Sequence, residues 1–123
     1  MAVRRIARLN EQLKRELAEL IRTQVRDPRV GLVTVTGVET TKDLGLAKVH
    51  VRTVGDSAER GSTLEGLSAA APFLRTALGR ILEIRRVPEL RFQEDRSLEH
   101  AQRIEQVLSE VIPPGGTGDP DEV

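Results

Sequence analysis

The sequence predicts an α+β domain, with a three-stranded sheet, helices packed on one face of it, and the element order α-β-β-α-α-β-α. Three observations carry this reading. Ile6, Leu9, Leu13, Leu17, Leu20 and Ile21 recur at helix spacing near the start. Ala47, Val49 and Val51 alternate with Lys48, His50 and Arg52, the signature of a strand with one face on a core and one toward water. Between Leu64 and Arg85, two further stripes of helical period stand on either side of Ala70-Ala71-Pro72.

The opening stripe defines a helix from about Val3 to Val25. At 100° per residue, Arg4, Arg8, Arg15, Arg22 and Arg26 fall on its opposite side, interleaved with Glu11 and Glu19. Two readings of that face are open: a solvated surface laced with weak pairs, or a ridge turned toward RNA. Asp27-Pro28-Arg29 ends the helix and Gly31 turns the chain into a strand over Leu32–Thr40. In that strand Val33 and Val35 are in phase and Val38 is out of phase, so a bulge is expected at Gly37. The polar turn Thr41-Lys42-Asp43 leads into the alternating strand, which is close enough to pair with the first as an antiparallel hairpin.

Gly55 to Ser62 reads as a loop, and Ser62-Thr63-Leu64-Glu65 fits a capping box opening the next helix. Leu64, Leu67 and Ala71 form the stripe before Pro72; Phe73, Leu74, Ala77, Leu78 and Ile81 form the one after it. Proline lacks a backbone N–H and clashes with the carbonyl four residues back, so two short helices are expected, with Phe73, Leu74, Leu78 and Ile81 in the core. The second would start with free N–H groups at Phe73 and Leu74, an arrangement suited to a phosphate. Leu90 and Phe92 mark a third strand with Pro88 at its entrance. Asp95 and Ser97 can cap a last helix with the stripe Leu98, Ala101, Ile104, Leu108 and Val111, ended by Pro113.

Composition limits function. At 123 residues the chain makes one domain with a self-sufficient core. It has no Cys, which excludes disulfides and thiolate metal sites and suits a cytoplasmic setting. No apolar run approaches a membrane span. The formal charge is zero, yet Asp119, Asp121 and Glu122 lie in the last five residues, which leaves residues 1–112 at +3. Residues 1–29 alone carry eight bases and four acids. A basic end suits a polyanionic partner. With two Phe and no Tyr or Trp, a base-stacking sheet is not expected. Catalytic motifs are missing: no G-x-x-x-x-G-K-[ST], H-E-x-x-H or G-x-S-x-G occurs. His50 and His100 read as ordinary surface or packed residues, and Asp95 beside Glu94 as a helix cap rather than one of an acid pair.

The element order, taken with Asp27-Pro28-Arg29 and Gly31, Thr36-Gly37-Val38-Glu39, Asp43-Leu44, Ala47-Lys48-Val49, Phe73-Leu74-Arg75, Leu78-Gly79 and Val87-Pro88-Glu89-Leu90, resembles the ribosome-binding factor A family from about Arg5 to Val111. The resemblance implies a KH-like (type II) RNA-binding domain over residues 1–112, followed by a disordered acidic, Pro/Gly-rich tail over 113–123. It implies a non-enzymatic bacterial maturation factor, a monomer, that binds the free small (30S) ribosomal subunit and its rRNA and assists late assembly and 16S rRNA 5′-end processing. No cofactor, metal, membrane or small-molecule substrate is implied. The alternative is a protein-binding adaptor that uses the helical face without touching RNA. KH domains clamp nucleic acid through a G-x-x-G loop; the single G-x-x-G here, Gly115-Gly116-Thr117-Gly118, lies in the tail. The family uses an Ala-x-Gly interruption instead, which Ala70 and Ala71 match and from which Pro72 departs. The expected RNA contacts are Arg4, Arg5, Arg8 and Arg15 on the first helix and Lys42 and Lys48 on the hairpin. Ala70 and Ala71 are expected at the interruption, with Arg75, Arg80, Arg85 and Arg86 beyond it.

Overall fold

The structure, a computed structural model, describes residues 2–97. The expected last helix, His100 and the tail lie outside them. Five elements follow one another: α1 (Ala2–Gln24), β1 (Val33–Thr40), β2 (Leu46–Thr53), α2 (Ser57–Leu82) and β3 (Glu89–Glu94). The sheet order is β1-β2-β3, with β1 antiparallel to β2 and β3 parallel to β2. The parallel pair needs a long crossover, and α2 is that crossover.

The helices cover one face of the sheet, α1 chiefly over β1 and α2 over β3. Leu13, Leu17, Leu20 and Ile21 of α1 meet Ala47, Val49 and Val51 of β2, together with Val35, Val38, Leu90 and Phe92 from the flanking strands. The α1 stripe and the β2 alternation therefore face each other as their periodicities require. Asn10 fixes the contact laterally: its Oδ1 accepts from the Thr40 backbone N–H at 3.0 Å and from the Thr40 hydroxyl at 2.6 Å. The bulge falls where the phase slip places it. Val35 pairs with Val51 and Gly37 with His50, so Thr36 is the extra residue and Val38 returns to the buried face.

Two expectations about the second helix are corrected. The helix starts at Ser57, six residues before Thr63. Asp56 is its N-cap, accepting from the Glu59 N–H at 2.8 Å while the Glu59 carboxylate accepts from the Asp56 N–H at 2.9 Å. This is the true capping box, and it lies in the stretch read as loop. Thr63 is buried within the helix, its hydroxyl between the carbonyls of Arg29 and Glu59 at 3.3 and 3.1 Å. The helix also runs unbroken through Pro72 to Leu82. Leu67 before the proline and Leu74 and Leu78 after it are all fully buried on the same sheet, so tertiary packing holds both halves in one line and outweighs the local penalty. Pro72 itself is exposed and leaves the Ser68 carbonyl without its helical donor. Glu83 closes the helix in the left-handed conformation, at φ 53°.

Phe73 and Ile81 are corrected as well. They are 49 and 45% exposed, whereas Leu74 and Leu78 are fully buried.

Candidate nucleic-acid interface

The bases expected to touch RNA are exposed, but the fold divides them among three regions. Arg4, Arg8 and Arg15 stand on the outer face of α1, away from the Leu13–Leu17 stripe, with Arg5 on its flank. Among the described residues they make no ion pair, in contrast to Arg22, which pairs with Glu19 at 2.7 Å in the open, where such a pair contributes little. Arg26 lies beyond the end of α1 and is not part of that ridge.

Lys48 projects from β2 on the face opposite the helices, with Arg52 beside it and Arg91 its partner in register on β3. That face is close to charge-balanced, because Glu39 and Glu89 share it. A polar chain crosses all three strands there: His50 Nε2 lies 2.6 Å from Glu39 Oε1, and His50 Nδ1 lies 3.3 Å from Gln93 Nε2. With the proton on Nε2, the imidazole donates to Glu39 and accepts from the Gln93 amide.

The third region is α2 and the connection after it. Arg75 and Arg80 are five residues apart on one helix and therefore project about 140° apart round its axis. Arg75 turns toward the approach to β3, where its Nη2 donates to the Val87 carbonyl at 2.8 Å. Arg80 is on the other flank, that of Phe73. Arg85 and Arg86 are exposed in the connection, and Arg86 lies close enough to Asp43 to help hold its carboxyl below the usual range. The larger causes there are the Thr41 hydroxyl and the Gly45 N–H. Lys42, in the same turn, thus shares one end of the sheet with Arg86. Because α2 is continuous, the N–H groups of Phe73 and Leu74 lie inside a helix and do not form an anion-binding terminus.

Ala70 and Ala71 are half-buried, and Ala70 lines a shallow hollow of about 340 Å³ between the end of α1 and the middle of α2. Gln24, Val25, Arg26 and Asp27 form one wall; Ala69, Ala70 and Phe73 form the other. The Asp27 carboxylate accepts from the Arg29 N–H at 2.9 Å and from the Arg29 guanidinium at 2.7 Å, and these hydrogen bonds lower its pKa to about 2. Across the hollow, Gly66 brings α2 against the same turn: a Cβ there would stand 2.6 Å from Val30 Cγ2. The Phe73 side chain is a candidate contact that periodicity assigns to the core, because it belongs to an apolar stripe. Arg26, expected on the α1 ridge, stands at the hollow instead. Arg52 and Arg91, on strands whose polar face reads as merely solvated, are basic neighbours of Lys48 that the sequence does not single out. Asp95, expected to cap the last helix, which itself lies outside the described residues, accepts from the Ser97 N–H at 2.8 Å. Its carboxyl is held far below the usual range, first by the Thr36 hydroxyl and then by Ser97.

Among the described residues there is no group of acidic, His or Cys side chains that could hold a metal ion, and no helix long and apolar enough to cross a membrane. A mixed three-stranded sheet with its helices on one face, opened by a basic helix, defines the chain as an α+β domain of the KH-like class. The model of the family described as ribosome-binding factor A matches residues 5–108, and the chain belongs to that family. The ribosome-binding factor A of Desulfitobacterium hafniense is 46% identical over 111 residues, covering 90% of this chain and 89% of its own. That of Desulforamulus reducens is 44% identical over 104 residues, covering 85 and 87%. The crystal structure of ribosome-binding factor A from Thermus thermophilus superposes with a TM-score of 0.67 at 38% identity, over 75% of this chain and 97% of that one. A Thermus thermophilus ribosome-binding factor A model, fitted into a cryo-EM map of a complex with the 30S subunit, is similar at TM-score 0.59 and 38% identity, over 71 and 91%.

Proposed function

We propose that this chain is a ribosome maturation factor of the cytoplasm that binds the free small subunit through its rRNA and assists late assembly, including 5′-end processing of 16S rRNA. It acts by binding, without catalysis of its own, and as a monomer. The observation that carries the reading is the family match across residues 5–108, joined to the 30S complex of the Thermus thermophilus relative. The exposed, unpaired arginines of α1 and the bases around α2 are consistent with it, since each phosphate contact exchanges a condensed counterion for a guanidinium.

A protein-binding adaptor using the helical face is the second reading, and one feature favours it: the apolar Phe73 and Ile81 of α2 are 49 and 45% exposed. Co-sedimentation separates the two. The purified chain should pellet with free small subunits and not with large subunits or joined ribosomes, and its affinity should fall steeply with added salt. Equal binding to all three particles, or to none, would overturn the proposal. Salt-insensitive binding to small subunits would favour the adaptor.

A further inference from the structure

The sequence contains two phenylalanines, Phe73 and Phe92, and no Tyr or Trp. Phe92 is buried in the core, so Phe73 is the one exposed phenylalanine, and it lines the hollow between α1 and α2. The hollow has two unlike walls. Ala69, Ala70 and Phe73 are apolar, the two alanines adding little bulk beside the half-exposed ring. Opposite stand the Gln24 amide and the Arg26 guanidinium, neither with a hydrogen-bond partner among the described residues. Arg80 lies seven residues after Phe73 on the same flank of α2, about 10 Å along the axis. The hollow therefore has one cation, Arg26, in its wall and a second, Arg80, further along α2.

We propose that this hollow receives one unpaired nucleobase of the bound RNA, stacked on Phe73 with its polar edge toward Gln24, while Arg26 and Arg80 hold the flanking phosphates. The inference rests on the RNA-binding reading above and adds to it a preference for unpaired over duplex RNA. Charge and shape select this occupant. At about 340 Å³ the space is at the low end of small-ligand pockets, sized for one flat group rather than a peptide segment. A buried aliphatic side chain would leave the Gln24 and Arg26 groups desolvated without partners, whereas a base offers a π face to one wall and hydrogen-bonding atoms to the other. The one carboxylate in the wall, Asp27, is already engaged by Arg29 and adds little repulsion.

The chain has no tryptophan, so Phe73→Trp introduces a single reporter at the platform. Both Phe73→Trp and Phe73→Leu should fold as the parent does, because the ring is half exposed and Leu74 carries the core contact at that turn. Emission from the tryptophan should be quenched by a short single-stranded oligoribonucleotide and not by the same sequence as a duplex. Phe73→Leu should bind small subunits about tenfold more weakly than the parent, the loss expected for one stacked base. Should the parent bind small subunits while the tryptophan stays unquenched by the single strand, or while Phe73→Leu binds equally well, the base-binding hollow is overturned and the functional reading stands. A tryptophan that shifts to shorter wavelength only on whole subunits, with no response to RNA alone, would assign the hollow to a protein side chain and overturn the inference in the same way. Failure of the parent to bind small subunits would overturn both.

Discussion

Two glycines of α2 look alike in the sequence and differ in what surrounds them. Gly61 faces open space: an added Cβ would meet nothing within 4 Å. Gly66 sits where the helix crosses the turn after α1, and its added Cβ would press on Val30 Cγ2 at 2.6 Å and on Arg29 Cβ at 3.3 Å. Val30 is β-branched and packed against the core, so it cannot swing aside. Gly61→Ala should therefore stabilise the domain by about 0.5–1 kcal/mol through backbone entropy. Gly66→Ala should cost about 1–3 kcal/mol despite the same gain in propensity, because it overpacks the crossing. Urea titrations of the two variants check the difference in sign. The same residue scale explains why Phe73 could not be placed from its neighbours. Periodicity assigns a residue to an arc of the helix, but the width of the arc that is actually covered depends on which element lies alongside. Here α1 ends at Gln24, leaving Phe73 beside a hollow instead of a helix.

At the scale of elements, what could be read in advance was what periodicity and β-branching decide. The α1 stripe, the alternation of β2 and the slip at Gly37 each correspond to a feature of the fold because each has a single burial solution. The boundaries of α2 were harder. Asp56-x-x-Glu59 and Ser62-x-x-Glu65 both satisfy the capping-box pattern, and only packing chooses between them: Thr63 is needed inside the helix to bind the Arg29 carbonyl. Pro72 misled in the opposite direction, since a strong local rule was overridden by three buried leucines spaced along one helix. This yields a prediction contrary to the one a broken helix would make. Pro72→Ala restores the N–H that the Ser68 carbonyl lacks and removes a ring from an exposed position. It should raise stability by about 1–3 kcal/mol, with Pro72→Gly between the two. Small-subunit binding should be unchanged, because Pro72 is exposed and is not among the residues that line the hollow. A lower melting temperature for Pro72→Ala would mean that the proline fixes a helix geometry that the core requires.

For the whole molecule, the sequence supplied the inventory of arginines but not their grouping, because grouping depends on which face of the sheet the helices cover and how far α1 extends. With both helices on one face, the arginines of α1 and the bases of the open sheet face are separated by the thickness of the domain. One rigid RNA surface cannot contact both without wrapping round an edge. The open face is also the poorer candidate, since Glu39 and Glu89 offset Lys48, Arg52 and Arg91, and His50 is already bonded to Glu39 and Gln93. Group substitutions convert this into a measurement. Replacing Arg4, Arg8 and Arg15 by Gln removes three unpaired cations from one exposed face, so the domain should remain folded. The slope of log affinity for small subunits against log salt should become shallower by about 2–3, roughly one per lost phosphate contact. Replacing Lys48, Arg52 and Arg91 by Gln removes the same formal charge and should leave the slope nearly unchanged, so the comparison separates local contact from the general attraction of a basic protein to RNA. Equal flattening by both sets would mean that RNA reaches round the sheet edge. Flattening by the second set alone would transfer the interface to the open face of the sheet.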